Sequence, residues 1–341
     1  MQDKAAVFGN ITVDRVVRRK KVLGYSPGGA INPAYILKEL IDPQHVLLVS
    51  NIGDDNYAKT YIEPELNKMR DDYVRRIKDS GTRLYEVNIN DRLKPKITRL
   101  SEAQKLMNTL FIDITPVLPS VSTIHFQSYA TVFERKYRNR TIELIRKAYE
   151  MKVPVILDWN KRKPLERKNI EEEQKKVLDM CDTVKMNEYE AKLFVEPQNK
   201  KRVEKIRLRK RELERLADKI MDDYNMKRLI ITLADRGSYV QTRHASLRFE
   251  ALKPQIIMDC IGTGDAFLTA YSVKSLKGLN EKQVGVLSNM FGSLQIENMF
   301  SYPHSITRTR IRQAIITKHG SNYCIKHDVD CRDLASKLGL I

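Results

Sequence analysis

Apolar and polar residues follow two different periods along this chain. Short, β-branched runs read as buried strands at Ala5–Phe8, His45–Ser50, Thr123–Phe126, Val153–Leu157, Thr183–Met186 and Leu229–Leu233. Stretches with apolar residues three and four apart read as amphipathic helices at Ile31–Leu40, Asn56–Lys78, Arg138–Met151, Ile170–Met180, Val203–Asp223, Gly264–Leu276 and Glu281–Met299. Strands that alternate with helices imply βαβ units. The expected fold class is therefore α/β, with a mostly parallel central sheet flanked by helices on both faces.

Arg15–Tyr25 and Thr82–Phe111 break this alternation. Both read as strands and turns with no crossover helix between them, which predicts a small antiparallel flap. An α/β body with a β flap suits an enzyme that closes over its substrate. No internal repeat and no Gly/Ser-rich or Pro-rich linker divides the chain.

Composition changes this picture little. The 341 residues are 42% hydrophobic and 30% charged, as in an ordinary globular protein. No apolar run reaches the roughly 18 residues of a membrane span, so no membrane partner is expected. The N-terminus enters a strand without the basic-then-apolar layout of a signal peptide, and a cytoplasmic location is expected. Four cysteines are too few for a disulfide framework. His319, Cys324, His327 and Cys331 lack the spacing of a zinc finger and read as tail residues.

Charge needs more care. The formal net charge is +18, from 61 basic and 43 acidic residues. A basic surplus suits nucleic acid, solubility, or a site that draws in a polyanionic ligand. The basic residues are spread out and mixed with acids, as in Lys201–Lys219, which reads as a solvated amphipathic helix. Nucleic acid is therefore not the expected partner.

The sharpest chemical signal is Asp259–Phe267, DCIGTGDAF, which leads into an apolar helical run. A Gly-rich turn at a helix N-terminus presents unpaired N–H groups and partial positive charge to an anion. Gly262 and Gly264 permit a tight path and close approach by phosphate. A carboxylate at Asp265 would repel a bound phosphate. It makes sense as the group that accepts the proton of an attacking hydroxyl. The structural alternative is a helix cap, and this segment alone leaves both open.

DCIGTGDAF resembles the C-terminal signature of the ribokinase-like (PfkB) carbohydrate kinases, and six further segments resemble that family's motifs in its order. They are GNITVD at Gly9–Asp14, PGGAINPA at Pro27–Ala34, NIGDD at Asn51–Asp55, DWNKR at Asp158–Arg162, KMNEYE at Lys185–Glu190 and ITLADRG at Ile231–Gly237. Together they span roughly residues 5 to 300, and their order makes a specific match out of individually weak motifs. Thr263 stands where the family usually has Ala, and Ala234 where it usually has Gly.

The resemblance implies a Rossmann-like sheet, a β-strand lid and a cleft between them. It implies a kinase domain over residues 1–310, lid strands near 13–26 and 82–112, and a C-terminal helical tail over 311–341. It implies ATP-dependent phosphorylation of a hydroxyl on a sugar or sugar-like molecule, with Asp265 as general base and the amides of Gly262, Thr263 and Gly264 as an anion hole. Asp14, Gly28, Gly29, Asn32 and Arg162 are the implied substrate residues. Asn187, Thr232, Gly237 and Asn289 are implied on the nucleotide side. Glu190 and Asn187 are implied to organise Mg²⁺ through water, an oxygen-donor arrangement that suits this ion. A nucleoside kinase, or a non-catalytic binding or regulatory protein of the same fold, is the alternative. A stacking tyrosine such as Tyr25 or Tyr129 would serve the nucleoside reading. A homodimer through the lid is a further expectation.

Overall fold

The computed structural model describes residues 2–90, 95–101, 112–133, 138–161, 168–196 and 207–341. Its strands are β1 (Lys4–Phe8), β2 (Ile11–Arg18), β3 (Lys21–Gly29), β4 (Val46–Gly53), β5 (Val74–Ile77), β6 (Arg83–Ile89), β7 (Pro95–Arg99), β8 (Val121–Phe126), β9 (Val155–Asp158), β10 (Thr183–Asn187), β11 (Arg228–Thr232), β12 (Ser238–Thr242) and β13 (Ser246–Phe249). Nine of these form one sheet in the order β13-β12-β11-β10-β9-β8-β1-β4-β5. The strands from β11 to β5 run parallel, and β12 and β13 fold back antiparallel at one edge.

Every residue of β4, β8 and β9 is buried, as a parallel sheet covered on both faces requires. Side-chain alternation along β1 feeds two cores. Ala5 and Val7 join the helices Ile31–Lys38, Thr263–Ser272 and Glu281–Ile296 on one face. Ala6 and Phe8 join the helices Arg138–Glu150, Glu188–Val195 and Lys210–Asp223 on the other. The expected α/β fold with a mostly parallel sheet is thus what the chain adopts.

The flap is a four-stranded sheet in the order β3-β2-β6-β7. It is not purely antiparallel: β2 and β6 run parallel, because the chain makes an excursion through β4 and β5 between them. Val16, Val87 and Ile89 on one of its faces pack against Ile261 and Phe300 of the body.

Two expected helices differ from what is observed. The Asn56–Lys78 stretch forms a π-helical turn at Ala58–Ile62 and a short helix at Glu63–Leu66, and then strand β5. An unpaired edge of β4 offers a row of backbone hydrogen bonds, and Val74–Ile77 takes them in register with Ser50–Gly53. The Val203–Asp223 helix is described only from Lys210. Arg209 is its extended N-cap, with the Glu212 carboxylate accepting from the Arg209 N–H. Residues 203–206 lie outside the described residues.

Three further helices, Arg308–Ile316, Lys318–Lys326 and Cys331–Lys337, close the chain. Their Ile311, Ile315, Tyr323, Cys324 and Leu334 belong to the same core as Ala5 and Val7. Among the described residues, no helix is long and apolar enough to cross a membrane.

The Glu281–Ile296 helix reaches the β12–β13 hairpin through Gly285, which lies against the Phe249 ring. A Cβ there would overlap the ring, and Phe249 is almost fully buried. Gly285→Ala should therefore destabilise the fold by about 1–3 kcal/mol through overpacking. Urea denaturation measures it, and an unchanged midpoint would show that the helix and hairpin repack freely.

Candidate active site

Parallel sheets place ligands beyond the carboxyl ends of their strands, where the chain's winding direction reverses. Here the reversal lies at β1, which pairs with β4 on one side and β8 on the other. Gly9 and Asn10 leave β1 there, Gln127 leaves β8, Asp158 ends β9 and Lys185–Asn187 end β10. The N-terminus of the Thr263–Ser272 helix meets these ends.

That helix starts from Gly262, which takes a left-handed backbone (φ 73°) that an L side chain resists. A Cβ at Gly262 would also lie 2.6 Å from the Ser301 carbonyl. The Thr263 hydroxyl donates to the Cys260 carbonyl at 3.0 Å, so this larger residue is turned back into the loop. Asp265 follows in the first turn. Burial, then the Asp158 charge, push its carboxyl up to about 7, against Lys185, Asn32 and Gln127, which favour the charged form. Asn32 Nδ2 lies 3.5 Å from Asp265 Oδ2, a long hydrogen bond.

Beneath the helix start is a buried ion pair. Lys185 Nζ donates to both Asp158 oxygens at 2.9 and 3.0 Å, and neither side chain is more than 8% exposed. Burial works against the ammonium, but Asp158, Glu190 and Asp265 outweigh it and hold its pKa above the ordinary lysine value. A Cβ at Gly264 would sit 3.0 Å from Lys185 Nζ. Glycine at 264 thus lets the helix terminus lie directly against the ammonium.

On the flap side, Asp14 is buried and held through both oxygens. Thr12 Oγ1 donates to Oδ1 at 3.1 Å, and Ser301 Oγ to Oδ2 at 2.7 Å. Burial raises the Asp14 pKa, and these two hydroxyls pull it back in part. Gly28 leaves room for the Asp14 carboxylate, and Gly29 lies against the Asn10 carbonyl. Asn32 is 2% exposed, and its Oδ1, like that of Asn10, has no hydrogen-bond partner within the protein. Buried acceptors left open in this way suit a ligand that brings hydroxyl donors.

Asn187 and Glu190 form a capping box at the Glu188–Val195 helix: Asn187 Oδ1 accepts from the Glu190 N–H at 2.8 Å, and Glu190 Oε2 from the Asn187 N–H at 2.9 Å. Thr232 sits beside Asn187 in the β10–β11 register. Gly237 follows a 3₁₀ turn with φ 87°, and Ala234 in that turn holds a left-handed φ of 53° without being glycine.

The structure thus brings Asp14, Gly28, Gly29 and Asn32 together with the Gly262–Asp265 turn. Asn187, Glu190 and Thr232 line the neighbouring strand ends. Asn289 is buried beside these ends: its Nδ2 donates to Ser238 Oγ at 3.1 Å, next to Gly237 and paired with Thr232, and to the Gly285 carbonyl at 2.8 Å, binding its helix to β12. Arg162 lies outside the described residues. Tyr25 is on the flap face opposite Asp14, packed against Tyr57 and Tyr61, and Tyr129 packs against Phe133 and Trp159. Sequence reasoning gave no role to Gln127, Asp158, Lys185 or Ser301, quoting Asp158 and Lys185 only as the first residues of two motifs. The first three sit at carboxyl ends of parallel strands, which was signal enough to list them; nothing local marks Ser301.

The pfkB family carbohydrate kinase profile matches residues 3–304, and the chain belongs to that family. No curated protein matches it in sequence. Solved structures do match in fold. Ribokinase from Arabidopsis thaliana, complexed with ribose and ATP, is 16% identical with a TM-score of 0.69 over 99% of each chain. Ribokinase from Giardia lamblia is 17% identical with a TM-score of 0.72 over 91% of this chain and 99% of that one. Adenosine kinase from Sinorhizobium meliloti is 15% identical with a TM-score of 0.74 over 92% of this chain and 100% of that one.

A carboxyl whose pKa rises from 3.8 to about 7 on folding costs stability when ionised. The folded state binds the extra proton between those values, so this contribution worsens as pH rises from about 4 to 7 and is then constant. Asp265→Asn should accordingly raise stability at pH 8 by on the order of 2 kcal/mol, with the gain shrinking toward pH 5. Denaturant midpoints at the two pH values measure it. Equal midpoints for both proteins at pH 8 would refute the buried charge.

Proposed function

We propose that this chain transfers the terminal phosphoryl group of ATP to a hydroxyl of a sugar or sugar-like small molecule, with Asp265 as general base. The observation that carries this reading is the carboxyl of Asp265, with a raised pKa, in the first turn of a helix whose N-terminus opens on Gly262–Gly264. The ribose and ATP in the Arabidopsis thaliana neighbour support the same substrates here.

The acceptor hydroxyl approaches from the Asp14 and Asn32 side. Its proton passes to Asp265 as its oxygen bonds to the γ-phosphorus; the bond from that phosphorus to the β–γ bridging oxygen breaks, and ADP leaves. Charge spreads onto the equatorial phosphoryl oxygens during transfer. The N–H groups of Gly262, Thr263 and Gly264 at the helix start would meet such charge, and a preorganised helix terminus stabilises it without reorganising. Lys185, tethered by Asp158, adds a fixed positive charge beside the same turn.

The donor set fits a hydrated Mg²⁺. Glu190 and Asn187 carry oxygens at the strand ends near Lys185, one oxygen of each already accepting within the capping box, and among the described residues no group of three or more His, Cys, Asp or Glu could cage an ion. Such an ion would be held through water, and it would neutralise phosphate charge.

A nucleoside acceptor is the second reading, favoured by the fold match to Sinorhizobium meliloti adenosine kinase. Tyr25 faces away from Asp14 on the flap, packed against Tyr57 and Tyr61, so it offers this reading no stacking group beside Asp14.

Mg²⁺-dependent ADP release across sugars, sugar acids, sugar phosphates and nucleosides tests the reading, with Asp265→Asn as control. Turnover should appear with one class and fall at least about a hundredfold in the variant, while ATP still binds. Unchanged turnover in Asp265→Asn would remove the base assignment. The base must be deprotonated, so kcat/KM should rise with pH and level off above an apparent pKa near 7. A flat profile from pH 5.5 to 8.5 contradicts it. Asn32→Ala should raise the acceptor KM about tenfold or more before it affects ATP binding; the opposite order would move Asn32 to the nucleotide side.

A further inference from the structure

The side-chain amide of Gln295 is fully buried near the end of the Glu281–Ile296 helix, and it makes an unusual set of contacts. Its Nε2 lies 3.0 Å from the Ile261 carbonyl, 3.1 Å from that of Phe300 and 3.1 Å from that of Ser301. Its Oε1 accepts from Asn298 Nδ2 at 3.3 Å. One nitrogen thus gathers main-chain carbonyls from two segments that are far apart in sequence. The first runs straight into the Gly262 turn. The second carries Ser301, whose hydroxyl holds Asp14, and Phe300, whose ring packs on the flap at Gly24, Val16 and Val87.

Two independent observations tie this junction to the phosphate turn. A Cβ at Gly262 would lie 2.6 Å from the Ser301 carbonyl and 3.3 Å from Gln295 Nε2, so the turn rests on the junction itself. On the other side, Asp259 accepts from the Ile261 N–H at 2.8 Å and from the Phe300 N–H at 2.7 Å, bridging the same two segments. Gln295 satisfies carbonyls and Asp259 satisfies N–H groups. The two side chains therefore fix both the separation and the orientation of the strips. Phe300 holds a left-handed backbone (φ 75°) at this point, a conformation that persists only where its surroundings impose it.

We propose that Gln295 is a positioning residue for phosphoryl transfer. Its amide locks the Ile261–Gly262 turn to the Phe300–Ser301 strip, so that engaging the acceptor at Asp14 and closing the flap set the geometry of the phosphate turn. This rests on the kinase reading above. Positioning of this kind acts on the chemical step, where misplacement of about 1 Å costs on the order of a hundredfold.

The test is Gln295→Leu, which keeps side-chain bulk and removes the amide. With the acceptor identified by the substrate panel, kcat should fall about ten- to a hundredfold, while the Kd for Mg·ATP measured without acceptor stays within about twofold. Ser301→Ala keeps the carbonyl under Gln295 but frees Asp14. It should raise the acceptor KM about tenfold, with a smaller loss of kcat than in Gln295→Leu. Hydrogen exchange supplies a readout independent of turnover. Amides of the 259–265 segment should exchange at least about tenfold faster in Gln295→Leu, with β4 unchanged. A kcat within about twofold of the parent overturns the proposal, as does faster exchange spread over β4, which marks general loosening. If the parent turns over no acceptor, the kinase reading fails, and the exchange pattern alone then decides whether Gln295 holds the turn.

Discussion

The site depends on one buried ion pair. Lys185 and Asp158 end adjacent parallel strands, and each would be strongly unfavourable in the sheet without the other. Together they set a fixed ammonium beneath Gly264, at the terminus of a helix whose own dipole is already positive there. Two positive features side by side make sense only if negative charge is nearby. Asp158, Glu190 and Asp265 supply it, and a phosphate bound as proposed would add more. His125 shows the same field from the other side: burial first, then the Lys185 charge, hold its imidazole neutral with a pKa of about 3. It therefore serves as a neutral hydrogen-bonding partner to Ser272, 3.0 Å away.

Around that pair the geometry is built from glycines and from residues distant in sequence. Gly28, Gly262 and Gly264 each sit where a side chain would meet Asp14, the Ser301 carbonyl or Lys185. The flap contributes Asp14, the body contributes Asp265, and Asn32 lies between them within reach of both the Gly262 turn and Asp265. Phe300 and Ser301 then connect flap and turn. Under the proposed function, an acceptor held at the flap would in this way be aligned with Asp265 of the body.

Much of this was legible in the sequence, for identifiable reasons. Strands β1, β4, β8, β9, β10 and β11 were readable because burial on both faces makes them short continuous apolar runs. The Gly262–Asp265 turn was readable because left-handed backbone and close approach demand glycine. Strand β5 was not, because its four residues become a strand only by pairing with the edge of β4. The β12–β13 hairpin was likewise hidden, its pattern mixing buried and exposed positions. Lys185 and Asp158 look like ordinary charges until the sheet places them side by side. Gln295 and Ser301 gain their roles from contacts with the Ile261 turn and with Asp14, which no local pattern encodes.

The closing helices show what a family boundary does and does not mean. The family match stops at residue 304, yet Tyr323, Cys324, Val329, Leu334 and Leu338 complete the core that begins at Ala5. Tyr323 donates to the Glu250 carbonyl, Lys326 pairs with the Glu250 carboxylate, and the His327 ring lies 5.3 Å from that of Phe249. An expression fragment ended at 304 would uncover a wide apolar surface around Phe249 and the Glu281–Ile296 helix. Such a fragment would collect as insoluble material, and its silence in an assay would say nothing about the chemistry of the intact chain.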